Sequence, residues 1–163
     1  MPNRFGPSFG RQIPERLIRC LNGGAVRYEI LHEPSDAADS GRRLIVPGLI
    51  ATAVVRAGKQ RFLAVTSTGF DLDLKRFSKL VGEPVRLETE DEFKWLFPDC
   101  ALGAIPPFGN LYGLITWVDN TLIKTEHIVF FAGTLIDSIK LSYSAYEQIV
   151  QPNVGAFTNK RSR

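Results

Sequence analysis

The chain has 163 residues, 44% hydrophobic and 23% charged, with a formal net charge of +3, which suits one folded domain built on an ordinary core. No apolar run approaches the roughly 18 residues that span a bilayer, and Met1 to Gly10 carry no apolar signal core, so the cytoplasm is the expected compartment. Two histidines are too few for a multi-histidine metal site, and Cys20 and Cys100 lack Cys or His neighbours at ligand spacing, so no metal or cofactor is expected.

Residues 1–12 mix Gly, Pro, Ser and Arg without a period and read as a loose arm. Pro14 opens a helical pattern with Leu17, Ile18 and Leu21 on one face, stopped by Asn22-Gly23-Gly24. Val26–His32 alternates up to its last two residues and predicts a half-buried strand ending at His32-Glu33-Pro34. Ser35 or Asp36 is placed to cap a short helix toward Leu44, broken by Pro47-Gly48. Residues 50–56 and 61–67 flank Ala57-Gly58-Lys59-Gln60, a hairpin signal, and their near-continuous apolar character predicts central strands.

Residues 71–82 carry acids early, bases late, one apolar face and a terminal glycine, and predict a helix. After a short strand at 84–87, Thr89 and Glu92 have capping-box spacing ahead of a helix to Phe97, ended by Pro98. Strands are predicted at 114–118, 127–132 and 136–141, the last two as a hairpin, then a helix from about Tyr143 to Val150 closed by Pro152. The expected architecture is α+β: a single domain with a curved mixed β-sheet approaching a barrel and surrounding helices. Its expected extent is 13–152, between the arm at 1–12 and a basic C-terminal tail at 153–163. Charge follows this order unevenly, with 10 Lys/Arg against 5 Asp/Glu in residues 1–61, 7 against 12 in residues 62–159, and 3 more basic residues at the end. That imbalance either steers a polyanion to one side or is a solvated surface.

The stretch 102–113, Leu-Gly-Ala-Ile-Pro-Pro-Phe-Gly-Asn-Leu-Tyr-Gly, cannot be regular helix, because proline locks φ and removes a donor while glycine wastes backbone entropy. It reads as a shaped loop on a buried strand, either presenting bare N–H groups to a ligand or serving as a stiff connector. Nucleotide hydrolysis and dinucleotide binding lack their glycine-rich loops, and no Gly-x-Ser-x-Gly elbow is present. Chemistry by backbone groups, a water and the substrate itself remains.

The ordered segments His32-Glu33-Pro34, Ala51-Thr52-Ala53-Val54-Val55, Leu63-Ala64-Val65, Leu72-Asp73-Leu74, Gly103–Gly109, Val118-Asp119, Ala132-Gly133 and Leu141-Ser142 resemble the YbaK-like aminoacyl-tRNA editing domain, also found inserted in bacterial prolyl-tRNA synthetases. The resemblance runs from about Val26 to Val150 and is most specific at Gly103-x-x-x-Pro107 followed by Phe108-Gly109. It implies hydrolysis of the ester joining a wrong amino acid to a tRNA, in trans, with the mischarged tRNA acceptor end and an aminoacyl-tRNA synthetase as partners. It implies Gly103 as the residue offering N–H groups to an oxyanion. Substrate contacts are implied at Ala51, His32, Pro107, Phe108, Gly109, Phe131, Gly133 and Asp137, with Trp117 near the pocket.

Editing members of this family carry a lysine at the start of the first hairpin strand; one alignment puts Thr52 in its place and another Ala51. The histidine some relatives have near Ala132-Gly133 is replaced by Phe131. Thr52 then either takes a catalytic role through its hydroxyl or serves packing, and Asp137 either binds an amino group or is simply exposed. Three readings follow: a deacylase; an inactive module binding tRNA ends, nucleotides or a synthetase; and an interaction protein. Monomer and homodimer are both open.

Overall fold

The computed structural model describes residues 12–32 and 48–161, so the helix expected from Ser35 or Asp36 to Leu44 lies outside the described residues. Helix α1 (Glu15–Gly23) starts after Pro14, as a residue with fixed φ allows, and buries Leu17 and Leu21 one turn apart. Strand β1 (Tyr28–His32) follows; it is more exposed than expected, because it lies at the edge of its sheet.

Strands β2 (Ile50–Ala57) and β3 (Gln60–Ser67) form the expected hairpin about Gly58-Lys59, with Gly58 at φ +61°. Side chains alternate across a strand with period two. Ile50, Val54, Leu63 and Val65 therefore face one side of the sheet, and Val55, Ala57, Phe62 and Ala64 the other, both covered. Burial on two faces explains their near-continuous apolar sequence.

The next segment corrects the expected helix. Residues Phe70–Leu72 form strand β4, and Asp73 accepts hydrogen bonds from the N–H groups of Lys75 and Arg76, so α2 is Leu74–Val81. Gly82, at φ +79°, closes it. After β5 (Val85–Leu87), the expected capping box at Thr89 and Glu92 is present, but helix α3 is only Glu90–Phe93 and continues as a 3₁₀ turn over Lys94–Leu96. Trp95 Nε1 donates to the Glu92 carbonyl at 2.8 Å, capturing the acceptor that a further α-turn needs.

Strands β6 (Ile115–Asp119), β7 (His127–Phe131) and β8 (Asp137–Ser142) follow, and Ser142 caps α4 (Tyr143–Val150) through the Ala145 N–H. The segment expected as a basic tail instead holds β9 (Asn153–Gly155) and β10 (Thr158–Lys160), paired with β6 and β4. Phe157, fully buried between them, anchors this return against Phe77.

The five-stranded sheet has the order β5-β2-β3-β6-β9, with β3-β6-β9 parallel; a second runs β1-β8-β7, and β4 pairs with β10. A parallel bridge from Leu49 to Val129 joins the larger sheets at the start of β2. They bend around one core made by Ile50, Val65, Val118, Phe130 and Ile139, sealed by α1 and α4. The architecture is the expected α+β domain, and the sheets do not close. No helix among the described residues is long and apolar enough to cross a membrane.

Candidate active site at the Gly103 loop

The loop between α3 and β6 divides into a packed half and an open half. In the packed half the Pro107 carbonyl accepts the Tyr146 hydroxyl at 2.6 Å, and Phe108, fully buried, lies against Phe130 and Tyr146. Gly109 donates its N–H to Thr116 Oγ1 at 3.0 Å, and a Cβ there would overlap that oxygen and the Leu114 carbonyl. Pro107, Phe108 and Gly109, expected at the substrate, thus sit in the interior. They fix the loop's shape.

The open half is bolted to the β7–β8 turn. Ala101 donates to the Gly133 carbonyl, and Gly133 donates to the Ala104 carbonyl, each at 2.8 Å. Gly133 has φ +83° and meets Pro14 where a Cβ would stand, so glycine alone fits this junction. On the other side Thr52 Oγ1 donates to the Ile105 carbonyl at 3.2 Å. Between these ties Gly103 stands exposed at φ +86°, with only the Leu135 side chain near. Among the described residues the N–H groups of Gly103 and Ile105 have no acceptor. Leu102, Leu135 and Ile136 expose apolar side chains around this spot.

Strand alternation sends Ala51 and Thr52 to opposite sides. Thr52 shares a face with Ile50 and Val54 and reaches the loop, whereas Ala51 points to the other side and is exposed. Phe131 is half-buried and alternates away from Phe130. Trp117 lies elsewhere, packed on Phe77 beneath α2, so it is not a neighbour of this loop.

At the turn, Asp137 pairs with His32 in the β1–β8 register. The His32 Nδ1–H donates to Asp137 Oδ1, and Thr134 Oγ1 donates to Oδ2 at 2.6 Å. Thr134 Oγ1 also accepts the Asp137 N–H at 2.9 Å. Thr134 was not singled out in the sequence; the Thr-x-x-Asp spacing at 134–137 is the signal that finds it.

The loop's far end is clamped by Tyr112, whose hydroxyl donates to Asp99 Oδ1 at 3.0 Å and lies 3.2 Å from Cys100 Sγ. Arg16 holds Asp99 Oδ2 at 2.7 Å and covers the Tyr112 ring. Burial pushes the Cys100 thiol up to about 12, so it stays protonated and inert. Burial likewise pushes the Tyr112 hydroxyl well above its usual range. Two clefts among the described residues, of about 760 Å³ beside the β2–β3 turn and 590 Å³ between β1 and α4, contain none of Gly103, Thr52, His32 or Asp137. The loop with its backbone donors and the turn that carries the hydrogen-bonded Asp137–His32 pair are joined through Gly133, so chemistry rather than volume marks the candidate site.

The sequence profile of the aminoacyl-tRNA editing domain matches residues 36–149. The chain belongs to that family. Among solved structures, the editing-domain chain is similar to a candidate trans-editing enzyme for prolyl-tRNA synthetase, at 21% identity and TM-score 0.72, covering 90% of this chain and 96% of that one. A hypothetical protein matches at 17% identity and TM-score 0.75, covering 89% and 100%. A candidate signal-transduction protein from Marinobacter aquaeolei VT8 matches at 16% identity and TM-score 0.73 over 91% of this chain, which spans 31% of that protein's chain. At these identities the likeness establishes the fold. No curated protein matches the chain.

Proposed function

We propose that this editing-domain chain is a trans-acting aminoacyl-tRNA deacylase, hydrolysing the ester of a mischarged tRNA. The observation that carries this reading is the pair of N–H groups at Gly103 and Ile105 that have no acceptor among the described residues, on a loop held from one side by Thr52 and from the other by Gly133. Donors fixed before the reaction stabilise a developing oxyanion without reorganisation. The ester carbonyl oxygen would point at these donors, and the amino-acid side chain would lie among Leu102, Leu135 and Ile136. Such an apolar rim favours an uncharged amino-acid side chain over a charged one. Editing of this kind serves where a synthetase cannot reject a near neighbour, since one methylene is worth only about 1–3 kcal/mol.

Thr52, like Ala51, falls where the resemblance places the lysine of editing relatives. Its hydroxyl proton is committed to the Ile105 carbonyl, so its role is to aim the loop rather than to supply a cation. Loss of the lysine favours a second reading, an inactive module that binds tRNA ends, nucleotides or a synthetase. The acceptor end of mischarged tRNA is the partner in the first reading, with a cytoplasmic setting and either a monomer or a homodimer.

Both readings are tested by deacylation of tRNAs charged with alanine, serine or cysteine. Wild type is expected to release free amino acid from at least one, Gly103→Val to lose about 100-fold or more because a β-branched residue strained at φ +86° turns the donor away from the oxyanion, and Thr52→Ala to fall by a smaller factor. Binding of tRNA without release from any ester would overturn the deacylase and favour the binding module.

A further inference from the structure

The chain has two histidines, and they are placed differently. His127 is exposed opposite Ser142, whereas His32 lies at the other end of the three-stranded sheet opposite Asp137. The Asp137 side chain is 12% exposed and that of His32 is 72% exposed, so the pair has one inner and one outer member. Both Asp137 oxygens are engaged, Oδ1 by His32 Nδ1 and Oδ2 by Thr134 Oγ1. That leaves no oxygen dedicated to a substrate ammonium group.

A carboxylate on Nδ1 keeps the imidazole proton there and leaves the Nε2 lone pair available. Among the described residues Nε2 has no partner. Asp137 belongs to the same turn that is bonded to the loop: Ala132 donates to the Asp137 carbonyl at 2.9 Å, and Gly133 donates to Ala104 at 2.8 Å. The Leu135 side chain of that turn lies 3.8 Å from where a Cβ on Gly103 would stand. Through this turn the His32–Asp137 pair is connected to the loop that carries Gly103 and Ile105.

We infer that His32 is the general base of this site and Asp137 its positioning residue, a role that rests on the deacylase reading above. His32 Nε2 takes a proton from water as the water oxygen bonds to the ester carbonyl carbon. The carbonyl electron pair moves onto oxygen, toward the Gly103 and Ile105 N–H groups. When the tetrahedral centre collapses, the bond to the ribose oxygen breaks and that oxygen recovers the proton from Nε2. One water is consumed, giving a free amino acid and a ribose hydroxyl. Such a base offsets the missing lysine, because a neutral imidazole generates the nucleophile where no cation is present.

The test uses the full chain and the tRNA ester that wild type hydrolyses best, with kcat, KM and a pH profile for His32→Ala, His32→Gln and Asp137→Asn, and with His127→Ala as the control. Nitrogen NMR of the two histidines reports the tautomer of His32. On the face of the sheet that carries His32, its neighbours are Ile30 on β1 and Asp137 and Ile139 on β8, so Asp137 is the charged side chain beside it among the described residues.

The expected results are a kcat loss of about 100-fold or more in both His32 variants with little change in KM, and disappearance of the acid-side fall in rate. Asp137→Asn is expected to lower kcat and move the His32 proton from Nδ1 toward Nε2. His127→Ala should match wild type. Wild-type rate and pH profile in His32→Ala, alongside an inactive Gly103→Val, would overturn the base and leave the deacylase standing. No release of amino acid by wild type from any ester would overturn both.

Discussion

Tyr112 shows how much of the loop's order depends on one side chain. Its hydroxyl bonds Asp99 beside buried Cys100, its ring lies 4.8 Å from that of Phe97, and the Arg16 guanidinium covers its other face at 4.6 Å. Phenylalanine keeps the ring and removes the hydroxyl, leaving a part-buried carboxylate oxygen with one partner fewer. Tyr112→Phe is therefore expected to cost about 1–2 kcal/mol, seen as a lower urea midpoint with an unchanged slope. A full loss of folding would mean that the clamp does more than this one hydrogen bond. At this scale the sequence singled out candidate residues but not what each touches, and it passed over Thr134. Thr52 and Ala51 are adjacent letters, and only the strand's alternation sends Thr52 to the loop and Ala51 away from it.

Among the elements, the loop and the β7–β8 turn form one unit joined at Gly103 and Gly133. Both glycines have nearly the same φ, +86° and +83°, yet their surroundings differ. A methyl at Gly103 would find open space apart from Leu135, whereas one at Gly133 would overlap Pro14 and push α1 off the turn. Gly103→Ala is expected to cost about 1 kcal/mol, the left-handed backbone penalty alone. Gly133→Ala is expected to cost about 2–3 kcal/mol or more, as strain and overlap add; thermal unfolding of the two variants side by side measures the difference. Equal losses would mean that Pro14 yields freely. The hairpins, the Thr89 capping box and the helix over residues 143–150 were legible because each is written in turn chemistry or a local period. The first turn expected of α2 was not, since Asp71 and Leu72 are claimed by pairing with Asn159 and Thr158 from the other end of the chain.

In the whole molecule, residues beyond Pro152 return to close the fold. Phe157 is fully buried against Phe77, and its N–H donates to buried Asp119 at 2.9 Å. Part of the basic end is also neutralised, because Arg161 pairs with Asp71 at 3.0 Å. Phe157→Ala is expected to cost about 3–5 kcal/mol, and a chain ending at Pro152 should unfold at a still lower urea concentration. An unchanged midpoint would restore the view of this segment as a solvated tail.

The sequence by itself determined the α+β class, the order of nearly all the elements, the rigid character of the 102–113 loop and the family, because periodicity, turn residues and ordered motifs are properties of neighbouring positions. Only the tertiary structure decided which half of that loop is buried, that Thr52 meets Ile105 across 53 positions, and that His32 meets Asp137 across 105. Those contacts follow from strand register and from the bend where β2 meets β7, which are fixed by burying the shared core rather than by any local pattern.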